Sequence, residues 1–371
     1  MNSVPWRTGL NYDKEKMLRE SICANFEQET GSEFWLKFQE EKGINFIEEV
    51  RTLEDLWKFG NPEDVTLRIT RALQEKPVEY FVPKSIMQKK RNRLMLSVTG
   101  GTTGKEKTVL FDTKGVFEDY GFMGNYFLQV HNFPTFKEGY GMLYAGPTGN
   151  HYVGKSIQRM ASKTNGLFYA IDMDTRIFKK LIFAQKFDVV DIYMQHIIDQ
   201  MLDILKSKKV DVLVTTSKIL EELYKYIDVR EVGIKFIMHS GTSITPDTLK
   251  FFTEEIYKGV TMFGCYGNAL FGPSFEVPRK KGDYNMCYYP NYPYISAEVV
   301  KENEPLEVVD YGEQGRILMR RFTPECFIPC YIERDVADRV KPASEYGIFW
   351  DGIMNPRQMQ QGNMTMIEGI Y

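Results

Sequence analysis

Between residues 186 and 265 the apolar positions switch repeatedly between two spacings, and each switch marks a new element. Residues 189–205 repeat their apolar side chains every three or four positions and read as an amphipathic helix, and 210–214 is a short unbroken apolar strand. Residues 217–226 read as a helix and 235–239 as a strand. A further helix opens on Thr245-Pro246-Asp247, an N-cap followed by proline, and 260–263 is the next strand. Strands and helices alternating through short loops predict parallel strands with right-handed crossovers. Ligands of such sheets sit beyond the carboxyl ends of the strands. Those ends are Thr215-Thr216, His239-Ser240-Gly241-Thr242 and Gly264-Cys265-Tyr266-Gly267, each small, polar or aromatic as a nucleotide pocket requires.

The flanking segments follow other patterns. Residues 13–78 read as helical. Asn61-Pro62-Glu63-Asp64 supplies an N-cap, a first-turn proline and first-turn acids, and Val65, Ile69 and Leu73 follow at helical spacing. No chemistry is legible there. A basic link over 83–92 leads to a glycine-rich region, and 113–130 reads as a helix. Residues 139–152 predict a strand, a Gly/Pro turn and a helix from His151, grouping Tyr144, His151 and Tyr152 around a shallow concavity. Beyond 292 the pattern turns to strands: 294–300 alternates at period two, Gly312-Glu313-Gln314-Gly315 is a turn, and 316–322 and 327–332 are further strands. The fold class expected is α/β, with mixed, largely parallel sheets flanked by helices and a smaller β-rich subdomain. Its divisions are a helical lead-in over 1–92, a core over 93–290 and a β-rich part over 291–371.

The densest chemistry lies in Ser97-Val98-Thr99-Gly100-Gly101-Thr102-Thr103-Gly104-Lys105-Glu106-Lys107, which follows the apolar strand Leu94-Met95-Leu96. Three glycines let the backbone turn its N–H groups toward an anion, and hydroxyls and lysines add donors and charge. A nucleoside triphosphate needs this. The loop is not a Walker A motif, which requires glycine where Thr99 stands and a hydroxyl where Glu106 stands.

Composition narrows the classes. The 371 residues carry 47 basic and 50 acidic side chains, a net charge of −3, so nothing basic points to nucleic acid and no basic block to a membrane surface. No apolar run approaches the ~20 residues that cross a bilayer, and the amino terminus lacks a signal-peptide core. The expectation is a cytoplasmic protein. Five cysteines (Cys23, Cys265, Cys287, Cys326, Cys330) at loose spacing predict neither a disulfide framework nor a zinc site.

Taken together, the phosphate-loop run, Tyr140 to Tyr152, Tyr266-Gly267 with Gly272-Pro273, Tyr288-Tyr289-Pro290, Gly312 to Ile317 and Pro329 to Val336 resemble, in order, the motifs of the adenylate-forming enzymes, in their phenylacetate–CoA ligase-like branch. The resemblance covers about 94–340. It implies that Ser97, Thr99, Gly100, Gly101, Thr102, Thr103, Gly104, Lys105 and Lys107 hold the β- and γ-phosphates of ATP. His239, Ser240, Gly241 and Thr242 would form part of the adenine and acid pocket, with Lys105 and His239 as the catalytic candidates. Tyr266 and Gly267 would meet the adenine, and Asp335 with Arg334 the ribose. Tyr144, Gly146, Pro147, His151 and Asn268 would line the acid. The implied reaction is attack of a carboxylate on the α-phosphorus with release of pyrophosphate, assisted by Mg²⁺, the partners being a small carboxylic acid and an acyl acceptor; relatives are often homodimers.

Three departures stand out. The family's magnesium-binding glutamate falls on Leu270, leaving Thr102 as the candidate metal ligand. The arginine expected two residues before Asp335 is Glu333, with Arg334, Arg339 or Arg321 as substitutes. The family's usual lid domain, with its lysine, has no counterpart before Tyr371. The leading reading is an AMP-forming ligase for a carboxylic acid, aryl in class, that passes its acyl group to an amine, hydroxyl or thiol, as in natural-product biosynthesis. The alternatives are a CoA ligase or fatty-acyl-protein synthetase-like transferase, and a pseudo-ligase that binds ATP without turnover.

Overall fold

Short apolar runs that cannot satisfy their backbone groups in isolation pair into sheets. The computed structural model describes residues 4–7, 13–99, 105–133, 139–241 and 244–359. Among them β1 (Leu94–Val98) and β2 (Thr108–Asp112) form an antiparallel hairpin. The other strands make one sheet of eleven. Its parallel part comprises β3 (Tyr140–Gly146), β4 (Gly166–Asp172), β5 (Val212–Thr216), β6 (Phe236–Ser240) and β7 (Thr261–Asn268), in the order β4-β3-β5-β6-β7. The antiparallel part continues from β7 through β8 (Gly272–Glu276), β9 (Cys287–Tyr289) and β13 (Gly352–Gln358). It then runs through β12 (Cys326–Val340) and β11 (Gln314–Thr323) to β10 (Ile295–Val300).

The parallel strands, crossover helices and antiparallel end have the mixed α/β character expected. The sheet runs across the 290/291 division unbroken, because β9 pairs with β13 from beyond it. Pairing turns from parallel to antiparallel earlier, between β7 and β8, within one sheet. The 245 helix forms as its cap predicts: Thr245 accepts from the Thr248 N–H at 3.1 Å and Pro246 opens it. The helix of the 113–130 pattern begins only at Val116, after a turn in which the Gly115 N–H donates to the Asp112 carbonyl. β4 and the Thr175–Phe183 helix lie outside the sequence reading. β4 is an edge strand, half exposed along its length, so its apolar pattern is weak.

The lead-in helices Lys14–Phe26, Glu33–Lys42 and Pro62–Glu75 do more than precede the core. Phe26, Trp35 and Phe59 bury their rings together and against Phe327 of β12, with ring centroids 5.3 to 6.3 Å from Phe327, and Phe46 stacks on Phe59 at 4.4 Å. Such contacts add about 0.5–1.5 kcal/mol per pair beyond area burial. The Pro62–Glu75 helix lies along β12. The Thr66 hydroxyl accepts from the Ile332 N–H at 2.8 Å, and Thr70 and Tyr331 share a 2.8 Å hydrogen bond. Asn61 caps it, accepting from the Glu63 N–H at 2.9 Å.

Candidate active site

Hydroxyl- and glycine-rich sequence between two short apolar strands closes as a hairpin loop. The phosphate-loop run joins β1 to β2, and its base is tied where the Thr99 N–H donates to the Lys107 carbonyl at 3.0 Å and the Lys107 N–H to the Thr99 hydroxyl at 3.0 Å. Ser97 is buried. Gly100, Gly101, Thr102, Thr103, Gly104 and Thr242 lie outside the described residues. Three other segments grip the hairpin. The Val98 N–H donates to the Asn150 carbonyl at 2.7 Å, Gln74 donates to the Lys105 carbonyl at 2.5 Å, and Lys155 reaches the Leu96 carbonyl at 3.4 Å. The lead-in helix, where no chemistry was legible, thus touches the loop through Gln74.

Lys105 is exposed, whereas Lys107 is half-buried with its ammonium 6.0 Å from the centre of the Tyr331 ring. Burial lowers the Lys107 pKa; the neighbouring Glu333 opposes that shift and Arg334 adds to it. Glu333 and Asp335 sit where β12 bulges. Between the pairs Arg316–Val336 and Leu318–Ile332, four steps along β12 face two along β11. Such a bulge bends a strand and re-aims its side chains.

Two hydrogen bonds join this bulge to the end of β7. The Tyr266 hydroxyl donates to Asp335 at 2.8 Å, and the Asn268 amide donates to Glu333 at 2.7 Å. Burial raises the Asp335 pKa, while the Tyr266 bond opposes that. Glu333 is pushed up to about 7 by burial and by Asp335, against the pull of Asn268, Lys107 and Arg334. Arg334, on the other side of the strand, is exposed.

The candidate residues from the remaining strand ends separate into two groups. Ser240 is buried at the end of β6, and Gly241 follows exposed at φ 80°, a conformation that favours glycine. Gly267 and Asn268 are exposed at the end of β7, and His151 is half-buried before the Tyr152–Lys163 helix. Gly241, Gly267, Asn268 and His151 reach the surface. His239 is 2% exposed, and its Nε2 has no partner among the described residues. Burial and the nearby Arg279 hold its pKa down to about 3, so it acts only as a neutral ring.

The concavity expected around Tyr144, His151 and Tyr152 is corrected here. Tyr144 is fully buried, its hydroxyl donating to the Pro147 carbonyl at 3.1 Å beneath the turn. Gly146 and Pro147 are buried there too. Tyr152 packs its ring 4.4 Å from Phe111 and 5.3 Å from Tyr120. Both tyrosines prefer the core because a ring buried there gains more than one half-exposed at a turn.

The three arginines named as substitutes for the missing one also divide. Arg321 is fully buried. It donates to the Leu270 and Leu110 carbonyls at 2.8 Å each, pairs with Glu325 at 2.9 Å, and lies 4.0 Å from the centre of the Phe111 ring. Arg339 pairs with Asp351 at 2.7 Å. Neither is available to a nucleotide, and only Arg334 remains at the surface of the bulge.

Thr102, the candidate magnesium ligand, lies outside the described residues, and the described residues by themselves offer no cluster for the metal. Leu270 buries its side chain, its carbonyl is taken by Arg321, and no group of three or more His, Cys, Asp or Glu able to hold a metal occurs among the described residues. One network escaped the sequence reading: buried Glu276 of β8 accepts from the Gly264 N–H and pairs with Arg279, which also donates to the Met262 carbonyl at 2.8 Å. The spacing Glu276-x-x-Arg279 was its one signal, and it holds β7 from below.

Comparison with known proteins places this architecture. No family model and no curated protein matches the sequence. Among solved structures, 2-hydroxyisobutyryl-CoA ligase in an open conformation, in complex with 2-HIB-AMP and CoA, has a TM-score of 0.67 at 13% identity. The match covers 94% of this chain and 80% of that one. The same ligase with these ligands in the thioesterification state also scores 0.67, at 14% identity, over 91% of this chain and 65% of that one. The chain thus spans between about two thirds and four fifths of the ligase chains it matches. At this identity the likeness speaks for the fold. The chain has the adenylate-forming fold.

Proposed function

We propose that the protein is an ATP-dependent, AMP-forming ligase for a small carboxylic acid. The observation that supports this most is the meeting of three distant segments at the carboxyl ends of the parallel strands: Lys107 from the hairpin, Tyr266 and Asn268 from β7, and Asp335 from β12. A carboxylate with two acceptor oxygens suits a pair of ribose hydroxyls. A lysine beside a glycine- and hydroxyl-rich hairpin suits the outer phosphates. The 2-hydroxyisobutyryl-CoA ligase of the same fold is seen with an acyl-AMP, which supports the reading.

In the first step an oxygen of the substrate carboxylate attacks the α-phosphorus, and the bond to the bridging oxygen breaks. Pyrophosphate leaves with the electron pair. Little covalent chemistry falls to the protein, which aligns the reactants and offsets charge. Lys105 and Lys107 offset the leaving charge, Asp335 fixes the ribose, and neutral His239 supports the floor beside Ser240. Magnesium, where it takes part, would arrive with the nucleotide, since the described residues offer it no binding set. In the second step an amine, hydroxyl or thiol takes the acyl group and AMP leaves, CoA being one such acceptor.

The competing reading is a pseudo-ligase, favoured by the burial of Leu270 where a glutamate is expected. Acid-dependent pyrophosphate release with Mg-ATP separates the two. The panel would hold benzoic, hydroxybenzoic, aminobenzoic, phenylacetic, short hydroxy- and fatty acids, with products read by mass spectrometry. Release with one class of acid, and its acyl-AMP, is expected. ATP binding without release from any acid would establish the pseudo-ligase.

A further inference from the structure

Glu333 stands where three expected subsites touch. It accepts from Asn268 on the side of the acid at 2.7 Å, and it is two residues from Asp335, the ribose candidate, on the same bulge. It also feels the charge of Lys107 at the base of the phosphate loop. A carboxylate at this point repels both a triphosphate and the substrate carboxylate, so for the first step alone it is a handicap. It is not a structural ion pair either: its bonded partner is an amide, and the nearest guanidinium on the neighbouring strand, Arg316, uses its side chain on Glu63 and on the backbone carbonyl of Glu333.

We propose that Glu333 is the general base of the second step, taking the proton from the acyl acceptor as it attacks the acyl-AMP. The inference rests on the ligase reading above. The step balances. The acceptor's N, O or S forms a bond to the acyl carbon, the bond from that carbon to the phosphate oxygen breaks, AMP leaves with the pair, and the acceptor's proton passes to the Glu333 carboxylate.

The groups whose charge or hydrogen bonds act on Glu333 are Asp335, Arg334 and Tyr331 on its own strand, Tyr266 and Asn268 on β7, and Lys107 on the hairpin; Arg316 of β11 binds its backbone carbonyl and Glu63 of the Pro62–Glu75 helix. Their balance leaves it near neutrality, where a base is most effective. The nucleotide then acts as a clock. Bound triphosphate adds negative charge and favours the protonated carboxyl, which spares the first step the repulsion. Departure of pyrophosphate removes that charge, the carboxyl releases its proton to water, and the resulting carboxylate can accept the proton of the attacking group. Such a device favours an acceptor that must lose a proton on attack, an amine or a hydroxyl, over a thiol that ionises readily by itself.

The test compares Glu333→Gln with the wild type in both half-reactions. Acid-dependent ATP–pyrophosphate exchange reads the first, using the acid found by the panel above. Conversion of enzyme-bound acyl-AMP to hydroxamate by hydroxylamine in a single turnover reads the second. A general base contributes about 10²–10⁴-fold, so transfer should fall on the order of 100-fold further than exchange does. The ratio of wild-type to variant transfer should rise as pH passes through about 7. Glu333→Asp should recover part of the transfer with the same pH dependence, and exchange in each variant shows that it has folded. Equal losses in both half-reactions, or a pH-independent ratio, would overturn the inference and leave the ligase reading standing. A wild type without exchange for any acid would bring down both.

Discussion

The Tyr266 hydroxyl donates to the Asp335 carboxylate across 2.8 Å, joining the end of the last parallel strand to a bulge 69 residues further along the chain. This contact closes the candidate site and aims the carboxylate at the strand ends. A hydrogen bond to a charged group contributes about 1.5–3 kcal/mol. Asp335→Asn should therefore weaken ATP and AMP binding alike by on the order of 10- to 100-fold, and Tyr266→Phe by less, because it leaves the carboxylate in place. Titration calorimetry with each nucleotide reads both; unchanged affinity in Asp335→Asn would remove it from the ribose role.

The role proposed for Lys107, on the outer phosphates, would distinguish ATP from AMP. Lys107→Met is expected to cost ATP binding on the order of tenfold, the size of one charge-assisted contact, while AMP binding stays within about twofold. An equal loss for both nucleotides would place Lys107 elsewhere in the pocket.

Glu333 also carries a stability signature. Its pKa is raised in the fold to about 7 from an ordinary value of 4.5, chiefly by burial. The stabilisation linked to its proton is fully present below the unfolded value and is lost as pH rises through about 7. Glu333→Gln, neutral at every pH, should unfold at a higher urea concentration than the wild type at pH 8, with the difference fading by pH 5. Parallel curves at both pH values would show that the carboxyl is not strained by its surroundings.

Arg321 ties β11 to the hairpin and to the Leu270 turn with no exposed surface. Removing one partner of a buried ion pair costs about 3–5 kcal/mol because the other charge is left uncompensated. Arg321→Met should lower stability by that order in chemical denaturation. Arg321→Met combined with Glu325→Leu should recover part of it. A loss below about 1 kcal/mol would mean that water reaches the pair.

How much of this was legible beforehand differs by element. The parallel strands and the Asn61 and Thr245 caps follow from local rules of period and capping, and they stand within a few residues of where those rules put them. The phosphate-loop strand was legible for the same reason, its apolar run being bounded by glycines and threonines. β4 was not, because an edge strand half open to water keeps no clear alternation. Tyr144 misled because an aromatic residue before a glycine turn looks alike whether it faces a ligand or the core.

The sequence by itself determined the α/β class, the order of every element whose pattern is not blurred at a sheet edge, and the residue types that can hold a phosphate or a ribose, since these depend on neighbours within a few positions. Only the tertiary structure decided which of those residues meet. Tyr266 with Asp335, Asn268 with Glu333, and Gln74 with Lys105 are contacts across 69, 65 and 31 residues. Their energies arise from burial and from the register of β12 beside β11, two quantities that no local stretch of the chain contains.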